Sequence, residues 1–428
     1  VRKEKIWINV RDSFWFLPAI YGVMSIVLVF VVNSADSWIM SHLKEQLPNI
    51  ALTSSDVAKE LYASLVTAIL TMTTISFSVI MVVLTTYTTQ FSPRTLQDFM
   101  RSSTTQHVLG MYCFGFVFAL LHLLLVGKGS IVIGPILMGI IAIMVLGFFV
   151  YFIHHSARWI QVNNLISKIR IDGSNVIKHA YQQQDYLEYE EWNEGEVRYL
   201  QTQTKRHVCA SKSGYVQEID WKGLVNWAKH ENCIVHLHVQ IGDFVLMDSP
   251  VISGINLDQW KKLDDIQRYL IICNERTDLQ DVEFSLQKLV EIALRAISPA
   301  INDPHTAINC INRIGALLSE VSTNYKEIYY LADKAGNLRV INEPKKYEDY
   351  LYKSFYQIRH YGKDDVSVLY GLIEVLYKIA FVSNKKIKQK IWRFHYYIVD
   401  VIEWDTLSEL DRQHLQSIYR KFRSCYGE

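Results

Sequence analysis

Charge is missing from this sequence over stretches long enough to matter. From Leu61 to Pro93 there is no Asp, Glu, Lys or Arg, and Arg94 is the first charged residue after Glu60. Crossing a bilayer takes about 20 apolar residues, so this stretch is long enough to span one. A charge surplus is missing too: 44 basic and 43 acidic side chains over 428 residues leave a formal net charge of +1. Nucleic-acid binding, which calls for a concentrated basic surface, is therefore not expected. The six cysteines (Cys113, Cys209, Cys233, Cys273, Cys310 and Cys425) contain no CxxC and no paired spacing. That speaks against a zinc ribbon and a disulfide framework, and fits a reducing compartment for the soluble half. No GxxxxGK[ST], GxGxxG or HExxH occurs, and Ser211–Gly214 (SKSG) lacks the context of a nucleophile elbow. The sequence thus predicts no enzyme, no cofactor and no metal centre.

What is present divides the chain in two. Apolar runs dominate up to about His155, and beyond it charged residues appear every few positions. A basic opening segment leads into an apolar run from Phe14 to about Val32, with Trp15 and Phe16 at its start as interfacial aromatics. The run is long and no small-residue cleavage site is evident before Asn33 and Ser34, so it reads as a first transmembrane helix rather than a signal peptide. Ala35–Glu60 reads as a polar loop containing a short interfacial helix ended by Pro48. Thr53 and Asp56 resemble a capping box that opens the second span. A third span is expected over His107–Val126, a tight turn at GKGS, and a fourth span over Ile131 to about Ile153. Basic residues concentrate in the N-terminal segment, the second-to-third loop and the segment after the fourth span. The positive-inside rule then places both termini in the cytoplasm of a multi-pass cell-membrane protein.

The expected fold is a mostly α membrane protein: four transmembrane helices, then a cytoplasmic α+β region with a small β module and a helical C-terminal part. The expected divisions are 1–155 for the transmembrane helices, 156–197 for a helical stalk, 198–256 for the β module and 257–428 for the helical domain. In the β module, SGYVQEID and CIVHLHVQIGDFVLMDSPV alternate apolar and polar residues around a turn at Gly242-Asp243, with a short helix in DWKGLVNWAKHEN. Thr277 and Gln280 read as the cap of a helix running VEFSLQKLVEIALRAIS. Asp303 before Pro304 reads as the N-cap and first-turn proline of the next. A hairpin is expected at Ala335-Gly336-Asn337, followed by four amphipathic segments between Tyr347 and Phe422.

The second span carries a row of hydroxyls. Ser64, Thr67, Thr71, Thr74 and Ser78 recur at steps of three and four, and the row resumes at Thr85 and Thr89. Such positions share one face of a helix. One reading is a pore lined by hydroxyls where several subunits bring this helix together. The other is close helix packing, which Thr73, Ser76 and Thr86, lying off the stripe, favour. Ser92, Pro93 and Arg94 at the end of this span read as a hinge or gate, or as a plain helix terminus with an anchoring arginine. Asn302, Asp303, His305 and Thr306 crowd polar groups at a helix start and read as a ligand corner or as a capped helix. His236 and His238 alternate on a strand near Glu231 but lack a third ligand for a metal. Spans two and four lack the carboxylate that ion-coupled transporters need in the membrane, and past His107 at its start His122 is the one histidine of the third.

FSVIMVVLTTYTTQFSPRTLQDFMRSSTTQHVLGMYCFGF, SGYVQEIDWKGLVNWA with QIGDFVLMDSPV, and RAISPAINDPHTAINCINRI resemble, in this order, the bacterial membrane-protein family called domain of unknown function 2254. The resemblance spans nearly the whole chain and implies a membrane protein without an assigned activity. The SGYV and GDFVLMDSPV pair is also similar to the barrel-sandwich hybrid of biotinyl and lipoyl domains. Those domains carry a modified lysine on a hairpin. Here Lys222 and Lys229 lie in the inserted helix instead, so the module reads as a structural or docking element. The function expected is an oligomeric channel or pore passing ions or small solutes along the hydroxyl stripe of a homo-oligomer. The alternative is a membrane-anchored cytoplasmic interaction or signalling platform without transport activity.

Overall fold

The structure is a computed structural model, and it describes residues 15–42, 53–90, 102–126, 130–131, 133–180, 186–203, 205–255, 266–277 and 280–427. The chain forms two compact units, 1–164 and 165–428.

The first unit contains four helices long and apolar enough to span a membrane: α1 (Phe16–His42), α2 (Ser55–Gln90), α3 (Ser103–Leu125) and α4 (Ile133–Ile160). Half of the α3 span is buried, against 22% for each of the others, so α3 is the central helix. Small residues let its neighbours approach closely: a Cβ on Gly115 would stand 3.0 Å from Val145 and 3.1 Å from Ile69. Ser25 donates to Phe114 O at 2.8 Å and Ser76 to Tyr112 Oη at 3.1 Å, tying α1 and α2 to α3. Helices in a bilayer associate through this combination of close packing and buried hydroxyls, because lipid supplies no hydrophobic drive between them.

Two expectations for this unit are corrected. The segment from Ala35 to His42 is no separate interfacial helix; it continues α1 without a break, because nothing between Asn33 and Ser41 interrupts the backbone hydrogen bonds. Pro48 lies outside the described residues. Thr53 is not the cap of α2. It pairs with Ile131 in a two-residue bridge between β1 (Thr53–Ser54) and β2 (Ser130–Ile131), and Ser54 Oγ accepts from Val57 N.

After a one-residue break at Gln161 comes α5 (Val162–Ala180), most of which lies in the second unit. The buried face of α5 carries Leu165, Ile166, Ile169, Val176 and Ile177, the period of an amphipathic helix. Next come β3 (Leu187–Tyr189), α6 (Glu194–Thr202, capped by Asn193), β4 (Lys205–Cys209), β5 (Gly214–Ile219) and α7 (Trp221–His230, capped by Asp220). They are followed by β6 (Ile234–Leu237), β7 (Phe244–Val245), β8 (Pro250–Ile255) and β9 (Leu270–Cys273). The hairpin of β10 (Tyr330–Ala332) and β11 (Leu338–Ile341) turns through Gly336 at φ +83°.

These strands make a three-stranded sheet, β7-β5-β9, and a six-stranded sheet, β3-β10-β11-β6-β8-β4, antiparallel except where β11 runs parallel to β6. The expected module at 198–256 is therefore not self-contained. Its larger sheet is completed by β3 from before it and by β10 and β11 from after it. Local alternation marks strands but not their partners. Val216, Leu224, Trp227, Val235, Leu237 and Ile252 fill the core between the sheets and α7.

The helical part consists of α8 (Val282–Ala296), α9 (Pro304–Asn324), α10 (Tyr347–Gly362), α11 (Val366–Val382), α12 (Lys385–Val399) and α13 (Glu409–Ser424). The cap of α8 is Asp281, whose Oδ1 accepts from Phe284 N at 3.1 Å, not Thr277 or Gln280. Asp303 and Pro304 open α9 as expected. The last four helices are the four amphipathic segments, with α11 the most buried through Leu369, Leu372, Ile373, Leu376 and Ile379.

Candidate functional site

The hydroxyl stripe lies on the outside of the first unit. Ser64, Thr67, Thr71, Thr74, Ser78, Thr85 and Thr89 are all exposed along α2. The opposite face is sealed: Tyr62, Ile69, Ser76, Ile80 and Val83 are buried against the unit's other helices. At about 100° per residue, the two sets point in opposite directions from the helix axis. Exposed apolar residues flank the stripe on both sides, Leu70, Phe77 and Met81 on one and Ile75 and Val82 on the other. From Ser64 to Thr89 the stripe runs about 38 Å, longer than a hydrocarbon core of about 30 Å.

The hydroxyls off the stripe are less exposed, Thr73 and Thr86 being half-buried and Ser76 buried. Ser76 is the one that packs inside, on Tyr112. Thr73 is half-buried and donates to Ile69 O at 2.7 Å. Packing between helices of one chain thus accounts for Ser76 but not for the stripe.

Six of the seven stripe hydroxyls donate back to the carbonyl four residues earlier. These are Thr67 to Ala63 at 3.1 Å, Thr71 to Thr67 at 2.9 Å, Thr74 to Leu70 at 2.9 Å, Ser78 to Thr74 at 3.0 Å, Thr85 to Met81 at 2.8 Å and Thr89 to Thr85 at 2.8 Å. The bond lets the helix hold a hydroxyl without an orphaned proton. It also turns the oxygen lone pairs, rather than a donor, toward whatever meets this face. Ser92, Pro93 and Arg94 lie outside the described residues.

In the second unit the ligand corner is built from a helix cap. Asp303 Oδ1 accepts from Thr306 N at 3.1 Å and Oδ2 from the Thr306 hydroxyl at 2.6 Å. Those bonds hold its carboxyl below the usual carboxylate range. Asn302 has a left-handed backbone at φ +51°, and His305 is exposed. The fold adds a partner to His236 and His238 that their spacing could not show. Ser253 on β8 is fully buried and lies 2.8 Å from His207 Nδ1 and 2.5 Å from His238 Nε2. His207 comes from β4, an adjacent strand distant in sequence. Among the described residues, no group of three His, Cys, Asp or Glu side chains is placed to hold a metal ion. Beside His236 a cavity of about 460 Å³ opens between Tyr330, Gln240, Glu343 and Lys346.

Reading by spans overlooked one further group. Asp36, assigned to a loop by composition, is a buried carboxylate on α1. Its oxygens accept from Ile133 N at 2.7 Å and Gly134 N at 3.0 Å, so it caps α4 from a different helix. The first unit therefore contains a buried carboxylate, on its first helix and outside the two spans read as lacking one. The signal available was helical continuity from Phe16 past Asn33.

The sequence is similar to two uncharacterized proteins of Mycobacterium tuberculosis, MT1328 of strain CDC 1551 and Rv1290c of strain H37Rv. Each is 28% identical over 326 residues, covering 72% of this chain and 60% of the relative. The chain thus spans less than two thirds of the length of these curated relatives. No solved structure matches. The profile of the family described as "Predicted membrane protein (DUF2254)" matches residues 11–378, most of the chain, so the protein belongs to the DUF2254 family of predicted membrane proteins.

Proposed function

We propose that the protein is a homo-oligomeric channel of the cell membrane whose path is lined by the hydroxyl stripe of α2, with the second unit regulating flux from the cytoplasmic side. The supporting observation is the exposure of all seven stripe hydroxyls on the face of α2 opposite its buried one. Polar groups facing lipid gain nothing, whereas a ring of such helices would turn the stripe to a central path and its apolar flanks to neighbouring copies. The back-donated hydroxyls offer acceptors, which suit water and cations better than anions. Liposomes holding the purified protein, paired with planar-bilayer recording, test this. Replacing Thr74 or Ser78 by Phe is expected to abolish flux with the oligomer intact, and reversal potentials are expected to favour cations. Undiminished flux in both variants would sink the channel.

The alternative, a ligand-responsive platform, draws support from the cavity beside His236. Its volume falls in the range of small-molecule sites, roughly 300–1,000 Å³. A ligand that raises the unfolding temperature of the full-length protein, with the effect lost in His236→Ala and Tyr330→Ala, is the outcome this reading expects.

A further inference from the structure

Four side-chain polar atoms among the described residues of the first unit, on Tyr62, Thr105, His122 and Ser156, are sealed from solvent without a hydrogen-bond partner, and two of them converge on one spot: Tyr62 Oη and His122 Nε2. Tyr62 is fully buried and His122 is 5% exposed. Their ring centroids are 5.5 Å apart. The spot lies beside Gly134, in the first turn of α4. A Cβ at that residue would stand 2.6 Å from Tyr62 Oη, 3.2 Å from His122 Cδ2 and 3.4 Å from Asp36 Oδ2. Cδ2 is the ring carbon bonded to Nε2, so the orphaned nitrogen is one bond away from that close approach. Each of the four helices contributes one residue here: Asp36 from α1, Tyr62 from α2, His122 from α3 and Gly134 from α4. The carboxylate is held in place by the Ile133 and Gly134 amides.

The chemistry of the three groups defines what fits between them. His122 Nδ1 lies 3.1 Å from Phe118 O. A carbonyl oxygen only accepts, so Nδ1 carries the proton and Nε2 of the neutral ring is a bare lone pair. The carboxylate also accepts, and the phenol either donates or accepts. A buried acceptor and a buried phenol left without partners are costly, and proteins satisfy such groups with small internal ligands.

We propose that Asp36, Tyr62 and His122 bind a water-sized hydrogen-bond donor, water or ammonium, beside Gly134. Water would donate to His122 Nε2 and Asp36 and accept from Tyr62. Ammonium would donate to all three. A cation without N–H or O–H, such as tetramethylammonium, satisfies none of them.

The test uses the full-length protein in detergent. Thermal unfolding is followed in ammonium, sodium and tetramethylammonium chloride at equal ionic strength, for the natural sequence, Tyr62→Phe, His122→Phe and the double variant. Stabilisation by ammonium alone, lost in each single variant, supports the site with ammonium as its ligand. Equal behaviour in the three salts, with the double variant's loss smaller than the sum of the singles by about 2–4 °C, supports water. Equal salts with additive variants overturn the proposal. Should the variants fail to fold, a density map of the natural sequence decides. A peak within hydrogen-bond reach of Tyr62 Oη and His122 Nε2 supports it, and Tyr62 Oη bonded directly to His122 or Asp36 overturns it.

Discussion

Ser76 donates to the hydroxyl of Tyr112 across 3.1 Å, from a fully buried position on α2. Thr74, two residues earlier, faces outward and donates to its own helix. The same chemistry serves an interhelical contact on one side of α2 and an exposed surface on the other.

Ser76→Ala removes the donor and leaves Tyr112 Oη buried with one partner fewer. A loss of about 1–3 kcal/mol is expected in the unfolding of the detergent-solubilised protein. Flux through liposomes is expected to persist, since the path is assigned to the opposite face.

Thr71→Val and Thr74→Val nearly conserve volume but delete the outward lone pairs. Single-channel conductance is expected to fall in each and further in the pair. Val79→Thr, away from the stripe, is the control and is expected to leave conductance unchanged.

The network around Glu283 gives the second unit an acid-sensitive component. Its carboxylate meets Lys345 at 3.0 Å, Lys353 at 2.9 Å and Arg276 at 3.1 Å. Burial alone would raise its pKa, but Lys345 and Lys353 outweigh it and bring the group to about 2. A carboxylate depressed in the folded state stabilises fully above its unfolded value, about 4.3, and loses that contribution as pH falls through its folded one. The second unit is expected to lose on the order of 3 kcal/mol between about pH 4.5 and pH 2 from this residue. Glu283→Gln is expected to flatten that part of the pH–stability curve and lower stability at pH 7.

Gly315 faces Val375 where α9 meets α11. A Cβ there would stand 2.0 Å from Val375 Cγ2. Gly315→Ala is expected to destabilise by about 1–3 kcal/mol through overpacking, against a helix-propensity gain of about 1 kcal/mol. Adding Val375→Ala is expected to recover part of the loss, measured by chemical denaturation.

Asp303 separates the two readings of its corner. Asp303→Ala is expected to cost about 1 kcal/mol as a lost N-cap, while Asp303→Asn, an equally good cap, is expected to be nearly silent in stability. A corner that also binds a ligand would show a ligand-dependent shift in unfolding temperature that Asp303→Asn weakens.

Much of the fold was legible because its signals are local. Asp303-Pro304, Gly336 and the period of Val368–Ile379 each specify a cap, a turn or a face within a few residues. The cap of α8 was not legible because Thr277 and Gln280 carry the capping-box spacing just before Asp281, and only the backbone decides where the helix opens. The six-stranded sheet was not legible. Its neighbours β6 and β11 are about a hundred residues apart, and alternation says nothing about pairing over that distance.

The sequence alone determined four apolar spans and a row of hydroxyls on one side of the second, because hydropathy and a helical period are properties of consecutive residues. Tertiary structure decided that the row faces outward, since a face becomes inner or outer only when the other helices occupy one side of it. It also decided that Asp36 is a buried capping carboxylate and that His207 joins His238 at Ser253. Those relationships join residues from separate helices and strands, and packing alone brings them together.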